Sequence, residues 1–132
     1  MAAQHSNSQH IVNKLMSRPN VLIVDDNERL AQSLQQLLQL HGYNAEICSS
    51  GEDALQLVMD IKFDLMLLDL SMPNMNGFDV LTELATHTSP PPVIVISGTK
   101  TLNAAIEAMR LGAYDFIRKP YQPEELLHTI EN

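Results

Sequence analysis

Short apolar runs recur along this chain, and each ends in a polar residue before an amphipathic stretch begins. Val21-Leu22-Ile23-Val24 ends at Asp25-Asp26, Leu65-Met66-Leu67-Leu68 at Asp69, and Val93-Ile94-Val95-Ile96 at Ser97-Gly98. Tyr43 to Cys48 and Ala113 to Ile117 read as two further strands, the latter followed by Lys119-Pro120. The runs are continuously apolar rather than alternating, so both faces of the sheet are covered. Between them, Leu30, Leu34, Leu37 and Leu38 recur at the spacing of a helix stripe, stopped by Gly42. Ser49-x-x-Glu52 reads as a capping box for a second helix running to about Met59. Phe78, Leu81 and Leu84 mark a third helix, after a loop with Pro73 and Gly77. Ala105, Ala108, Met109 and Gly112 mark a fourth, closely packed through its small residues, and Pro123 opens a fifth with Glu124 and Glu125 in its first turn. Five βα units in succession make an α/β fold, a parallel sheet with helices on both sides.

The length of 132 residues suits one such domain. A net charge of −8 with only 8 scattered basic residues excludes direct nucleic-acid binding as an expectation, because phosphate backbones need clustered Lys and Arg. Cys48 is alone, which rules out an internal disulfide and suits a reducing compartment. With no signal-like apolar stretch at the N-terminus and no run approaching about 20 apolar residues, a soluble cytoplasmic protein is expected. Residues 1–19 are polar and read as a frayed extension. Ile11, Val12, Leu15 and Met16 nonetheless fall at helical spacing and would also suit a short helix packed on a partner. The last helix is short when the sequence stops at Asn132, so residues 20–132 read as one domain excised from a longer multidomain protein.

In a parallel sheet the strand carboxyl ends share one edge, where ligands bind. That edge receives Asp25, Asp26, Asp69, Ser97 and Lys119 from four strands. Converging carboxylates repel unless a hard cation such as Mg²⁺ neutralises them. A lysine and a hydroxyl beside such a cation make a pocket for phosphoryl oxygens, with the central carboxylate placed to attack phosphorus. Taken singly, Asp25-Asp26 serves equally well as a turn and helix cap, and Lys119 as a solvated surface lysine. Their joint placement favours chemistry.

The Asp25-Asp26 pair, Asp69-x-x-Met72-Pro73-x-x-Asn76-Gly77, Ser97-Gly98 and Gly112-Ala113-x-Asp115-Phe116-x-x-Lys119-Pro120 together resemble the receiver domain of two-component response regulators, from about Asn20 to Asn132. The resemblance implies a flavodoxin-like (βα)5 three-layer sandwich with strand order 2-1-3-4-5. It implies that Asp69 accepts a phosphoryl group from a histidine kinase or phosphotransfer protein. Asp26, Asp69 and the Ser71 backbone carbonyl would bind Mg²⁺, or Mn²⁺ as a substitute, with Asp25 acting through a metal-bound water. Ser97 and Lys119 would contact phosphoryl oxygens. Phe116 matches an aromatic switch that turns inward with Ser97 and remodels the face of the fourth helix, fifth strand and fifth helix; read alone it is core packing. The Lys119-Pro120 bond is cis in this family. Gly98 stands where alanine is commoner, which loosens the following loop. Ser71 and Thr99 occupy positions that tune dephosphorylation. The implied partners are an output domain absent from this chain and a second copy through the switch face, where Arg110, Asp115 and Arg118 would supply ion pairs. A self-phosphorylating, slowly self-dephosphorylating switch is expected rather than a turnover enzyme.

Three rivals remain. A flavodoxin-like cofactor binder wants a Ser/Thr/Gly-rich first loop, and here that loop is Asp25-Asp26-Asn27-Glu28. An aspartyl-nucleophile phosphatase wants a second Asp two residues after the nucleophile, where Ser71 stands. A degenerate receiver used only for docking is opposed by the complete acidic set. His41, His87 and His128 read as surface residues, Tyr114 and Tyr121 as partly exposed packing residues. The methionines at 59, 66, 72, 75 and 109 read as core and loop filler, and Cys48 as a small buried hydrophobe.

Overall fold

The computed structural model describes residues 17–98 and 102–132. Five parallel strands, β1 (Asn20–Val24), β2 (Asn44–Cys48), β3 (Leu65–Leu68), β4 (Val93–Ser97) and β5 (Asp115–Arg118), form one sheet in the order β2-β1-β3-β4-β5. The helices between and after them are α1 (Glu28–Leu40), α2 (Gly51–Asp60), α3 (Gly77–Leu84), α4 (Leu102–Arg110) and α5 (Pro123–Glu131). This is the flavodoxin-like arrangement expected from the sequence.

Period-two alternation along the strands divides the core in two. Leu22, Val24, Met66, Leu68, Val93 and Val95 pack with Ala54, Val80, Leu81, Leu84 and Ala108, so α2, α3 and α4 cover one face. Val21, Ile23, Leu67, Ile94, Ile96 and Ile117 pack with Leu34, Leu38 and Leu126, so α1 and α5 cover the other. The three central strands are buried almost throughout, but β2 alternates between exposed and covered residues and β5 is exposed at both ends. An edge strand has a neighbour on one side only, and the continuous apolar pattern holds where two neighbours and two helix layers meet.

Three boundaries differ from the sequence reading. The α2 cap is Ser50, not Ser49: the Ser50 hydroxyl accepts from the Asp53 backbone N–H at 3.1 Å. Both serines have an acid three residues on, so the local pattern is degenerate. Packing decides, because Gly51 must face α3 where a Cβ would stand 2.8 Å from Val80 Cγ2. Second, Gly112 lies outside α4, at φ +106°, and Met109 is exposed. Gly112 N–H donates to the Met109 carbonyl at 3.1 Å and Ala113 N–H to Ala108 at 3.0 Å. This is a Schellman exit; Gly42 makes the same one after α1, with φ +92°. Third, because Ala113 is spent on that exit, β5 starts at Asp115 rather than Ala113. The methionine reading holds for Met66 and Met72, which are buried, but Met59 joins Met109 in being exposed. A reciprocal capping box that the sequence reading did not single out opens α3, between Asn76 and Asp79. The residues with helical spacing at 11–16 lie outside those described.

Candidate functional site

The parallel ladder runs one step beyond the strands. Asp25 N–H donates to the Cys48 carbonyl at 3.1 Å, Asp69 N–H to Val24 at 2.9 Å, and Lys119 N–H to Ser97 at 2.9 Å. The backbones of the two buried acids and the lysine are therefore fixed by the sheet itself, although each lies in a loop by conformation.

Asp25 and Asp69 are buried and Asp26 is exposed, yet one carboxylate oxygen from each comes within 4.8 Å of the others. Lys119 Nζ lies 3.1 Å from Asp25 Oδ2 and 3.7 Å from Asp69 Oδ1. Asp25 Oδ1 also accepts from the Asn27 N–H at 2.9 Å, and Asp69 Oδ1 from the Ser71 N–H at 3.4 Å. The Asn27 side chain in turn caps α1 by accepting from Leu30 N–H at 3.1 Å. One turn thus starts the helix and orients an acid. Three acids against one lysine leave the cluster with negative charge in excess.

The electrostatics of Asp69 follow from this crowding. Burial raises its pKa above the ordinary 3.8, and Asp25 and Asp26 add to the rise; Lys119 and the Ser71 N–H pull it down. A carboxyl with a raised folded-state pKa is fully tolerated below about 3.8. Its ionised form becomes a burden as pH rises through the raised value. Asp69→Asn, measured with a chelator present, is therefore expected to raise Tm at neutral pH. The gain should vanish by the time pH falls below 3.8, and thermal melts across pH check this.

Ser97, at the end of β4, is completely buried. Phe116 pairs with Val95 on the neighbouring strand, is half-buried, and packs on the core beneath α2 to α4. Alternation puts Ser97 on that same face as Val95. The Lys119-Pro120 bond is cis. Among the described residues, a Cβ on exposed Gly98 would meet nothing within 4 Å. Thr99 lies outside the described residues.

Two contributors escaped the sequence reading. Gly77 N–H donates to Leu70 carbonyl at 3.0 Å, and a Cβ there would stand 2.6 Å from the carbonyl oxygen of Asp69. Gly77 was read as a loop residue and as one mark of the family motif, with no role given to it. Tyr121, read as partly exposed packing, borders the narrow cleft with Asp25, Leu30 and Lys119. Its phenol is pushed up by burial and then by Asp25. Its position just after Lys119-Pro120 was the available signal.

A profile of the response regulator receiver domain matches residues 21–131. The chain belongs to the response regulator receiver family. This receiver is 36% identical over 106 residues to regulatory protein AtoC of Escherichia coli, covering 80% of this chain and 23% of that one. It is likewise 36% identical over 113 residues to the DNA-binding response regulator MtrA of Mycolicibacterium paratuberculosis, covering 86% and 50%. It thus spans half of one relative and less than a quarter of the other. Its fold matches a CheY-like receiver domain protein from Methanospirillum hungatei with TM-score 0.82 and 30% identity, over 87% of this chain and 92% of that one. The chemotaxis regulator CheY4 of Vibrio cholerae matches with TM-score 0.81 and 28% identity, over 87% and 98%. Among the described residues, no helix of the receiver is long and apolar enough to cross a membrane.

Proposed function

We propose that this receiver is a phosphorylation-controlled switch with Asp69 as its phosphoacceptor. The observation that carries the reading is the convergence of Asp25, Asp26 and Asp69 with Lys119 at one sheet edge. An Asp69 carboxylate oxygen attacks phosphorus as the P–N bond of a donor phosphohistidine breaks, and the departing imidazole keeps the electron pair and takes a proton. Hydrolysis ends the phosphorylated state: water attacks phosphorus, the O–P bond to Asp69 breaks, and Asp69 leaves as carboxylate with inorganic phosphate released. Lys119 meets the negative charge carried on the transferring group, which is where such reactions gain most. Ser97 supplies a hydroxyl to a phosphoryl oxygen.

The acidic cluster fits a hard divalent ion. Carboxylate oxygens of Asp25, Asp26 and Asp69 gathered within 4.8 Å of one another are the hard donors such an ion takes. Asp26, Asp69 and the Ser71 carbonyl would hold Mg²⁺ or Mn²⁺, with Asp25 in support, and the ion would supply positive charge beside the phosphoryl oxygens. Asp25 is already engaged by Lys119 and Asn27, which suits an indirect role.

The output passes through Ser97 and Phe116, on one face of adjacent strands. New contacts from Ser97 to phosphate shift a population in which Phe116 sits deeper, remodelling α4-β5-α5. That face exposes Leu102, Ile106, Met109 and Tyr114, an apolar surface for a second copy or an output domain. The setting is cytoplasmic, with a histidine kinase or phosphotransfer protein as donor and an output domain in a longer protein as recipient.

Incubation with Mg²⁺ and acetyl phosphate, followed by intact mass measurement, tests the reading. One phosphoryl group should be gained, and the gain should disappear with EDTA or with Asp69→Asn. No gain in the wild type, or a gain that survives Asp69→Asn, sinks it and leaves phosphorylation-independent docking.

A further inference from the structure

One dipeptide of the chain is chemically labile by itself. Asn76-Gly77 is its single Asn-Gly pair. A backbone nitrogen that follows asparagine can attack the side-chain amide carbon, and glycine leaves that nitrogen unshielded because it carries no Cβ. Glycine is required here: a Cβ on Gly77 would stand 2.6 Å from the Asp69 carbonyl oxygen and 2.8 Å from Leu70 Cα. Asparagine is there as the N-cap of α3. Two structural needs thus set a nucleophile beside its target, with Asn76 exposed to water and base. We propose that Asn76-Gly77 is a modification site, a deamidation pair held shut by the α3 capping box and released when the first turn of α3 opens.

In the folded receiver both reactants are engaged. Gly77 N–H donates to the Leu70 carbonyl at 3.0 Å, so its proton is held. Asn76 Oδ1 accepts from Asp79 N–H at 3.0 Å, and Asp79 Oδ2 accepts from Asn76 N–H at 3.2 Å. Ring closure also needs Gly77 N nearly eclipsed with Asn76 Cβ, and at ψ 175° the two are staggered. Asp79 is therefore the bolt, fixing both the side chain and the backbone of Asn76. When the turn opens, Gly77 N gives its proton to base and bonds to Asn76 Cγ. The Cγ–N bond of the side-chain amide then breaks and ammonia leaves. Water opens the resulting five-membered imide at either carbonyl, giving an aspartyl or an isoaspartyl link to Gly77. The isoaspartyl link puts an extra carbon into the main chain, at the place where Gly77 has no room to move closer to Asp69.

The test uses the full chain in mildly alkaline buffer, folded or in urea, with peptide mapping of amide loss at Asn76. Unfolding should speed the loss about tenfold or more, since the local opening is then complete. Asp79→Ala should speed it about fivefold in the folded chain, the equilibrium shift of one lost cap. Ser50→Ala removes the α2 cap instead and should leave the rate at Asn76 unchanged, which separates local opening from general destabilisation. Enzymatic methylation of isoaspartyl carboxyls should label the tryptic peptide around residue 76 in the incubated wild type and not in Asn76→Ser, which keeps a capping oxygen without an amide. Equal rates in the folded chain and in urea overturn the proposal, and so does an Asp79→Ala rate no higher than that of Ser50→Ala. None of these readouts depends on phosphorylation, so they hold whether or not Asp69 accepts a phosphoryl group.

Discussion

Replacing Lys119 by alanine should slow phosphorylation of Asp69 from acetyl phosphate by about 10²–10³-fold, the range seen when one preorganised group facing transition-state charge is removed. Among the described residues, Lys119 is the only cation that the geometry places on the acidic cluster, 3.1 Å from Asp25 and 3.7 Å from Asp69. Its loss acts twice. The transferring phosphoryl oxygens lose their lysine partner, and Asp69 loses the charge that most strongly opposes its burial-driven pKa rise. The variant's rate should therefore also reach its plateau at higher pH than the wild type's. Time-resolved mass measurement across pH gives both quantities, and a wild-type rate in a folded Lys119→Ala would refute the assigned role. Lys119→Arg should recover only part of the rate, because a planar guanidinium does not occupy the place of a compact ammonium.

The largest expected effect on stability is at Gly77. An alanine there brings a methyl to 2.6 Å from the Asp69 carbonyl and 2.8 Å from Leu70 Cα, both backbone atoms that cannot swing away. Overpacking of this kind costs about 1–3 kcal/mol, a drop in Tm of several degrees. The shift also falls on the loop that carries Ser71, so phosphorylation should weaken along with stability. Gly98→Ala is the matched control: its methyl meets none of the described residues within 4 Å, and Tm should stay close to the wild type. Thermal melts of the two variants side by side decide the matter; equal losses would mean that the contact at Gly77 is accommodated.

The sequence made most of this visible, for identifiable reasons. Apolar runs such as Val93-Ile94-Val95-Ile96 announce strands buried on both faces, and those strands are buried from end to end. The polar residue closing each run marks the carboxyl edge, so Asp25, Asp69 and Lys119 could be placed together before any coordinates. What the sequence hid is non-local. Ser49 and Ser50 compete equally as caps until Gly51 is seen against Val80. The register of the fourth helix exit depends on which glycine takes a positive φ. The small-residue pattern of α4 suggested close packing, yet only Ala108 is buried, because one helix side alone meets the sheet. Gly77 looked like punctuation, and its role appears only when the Asp69 carbonyl is found beside it.

The hydrogen bonds that extend the ladder past β1 and β3, and past β5 at Lys119, also bear on how such a domain can vary. Side-chain direction alternates along a strand, so one residue added to or removed from β3 would swing the next side chain to the opposite face of the sheet. The phosphoacceptor would then point away from its partners even though every residue type was still present. Insertions in the connection between α3 and β4 meet no such rule. Length in this receiver is thus a fixed quantity within the central strands and a free one in the distal turns, which tells an engineer where foreign segments can be spliced in without disturbing the switch.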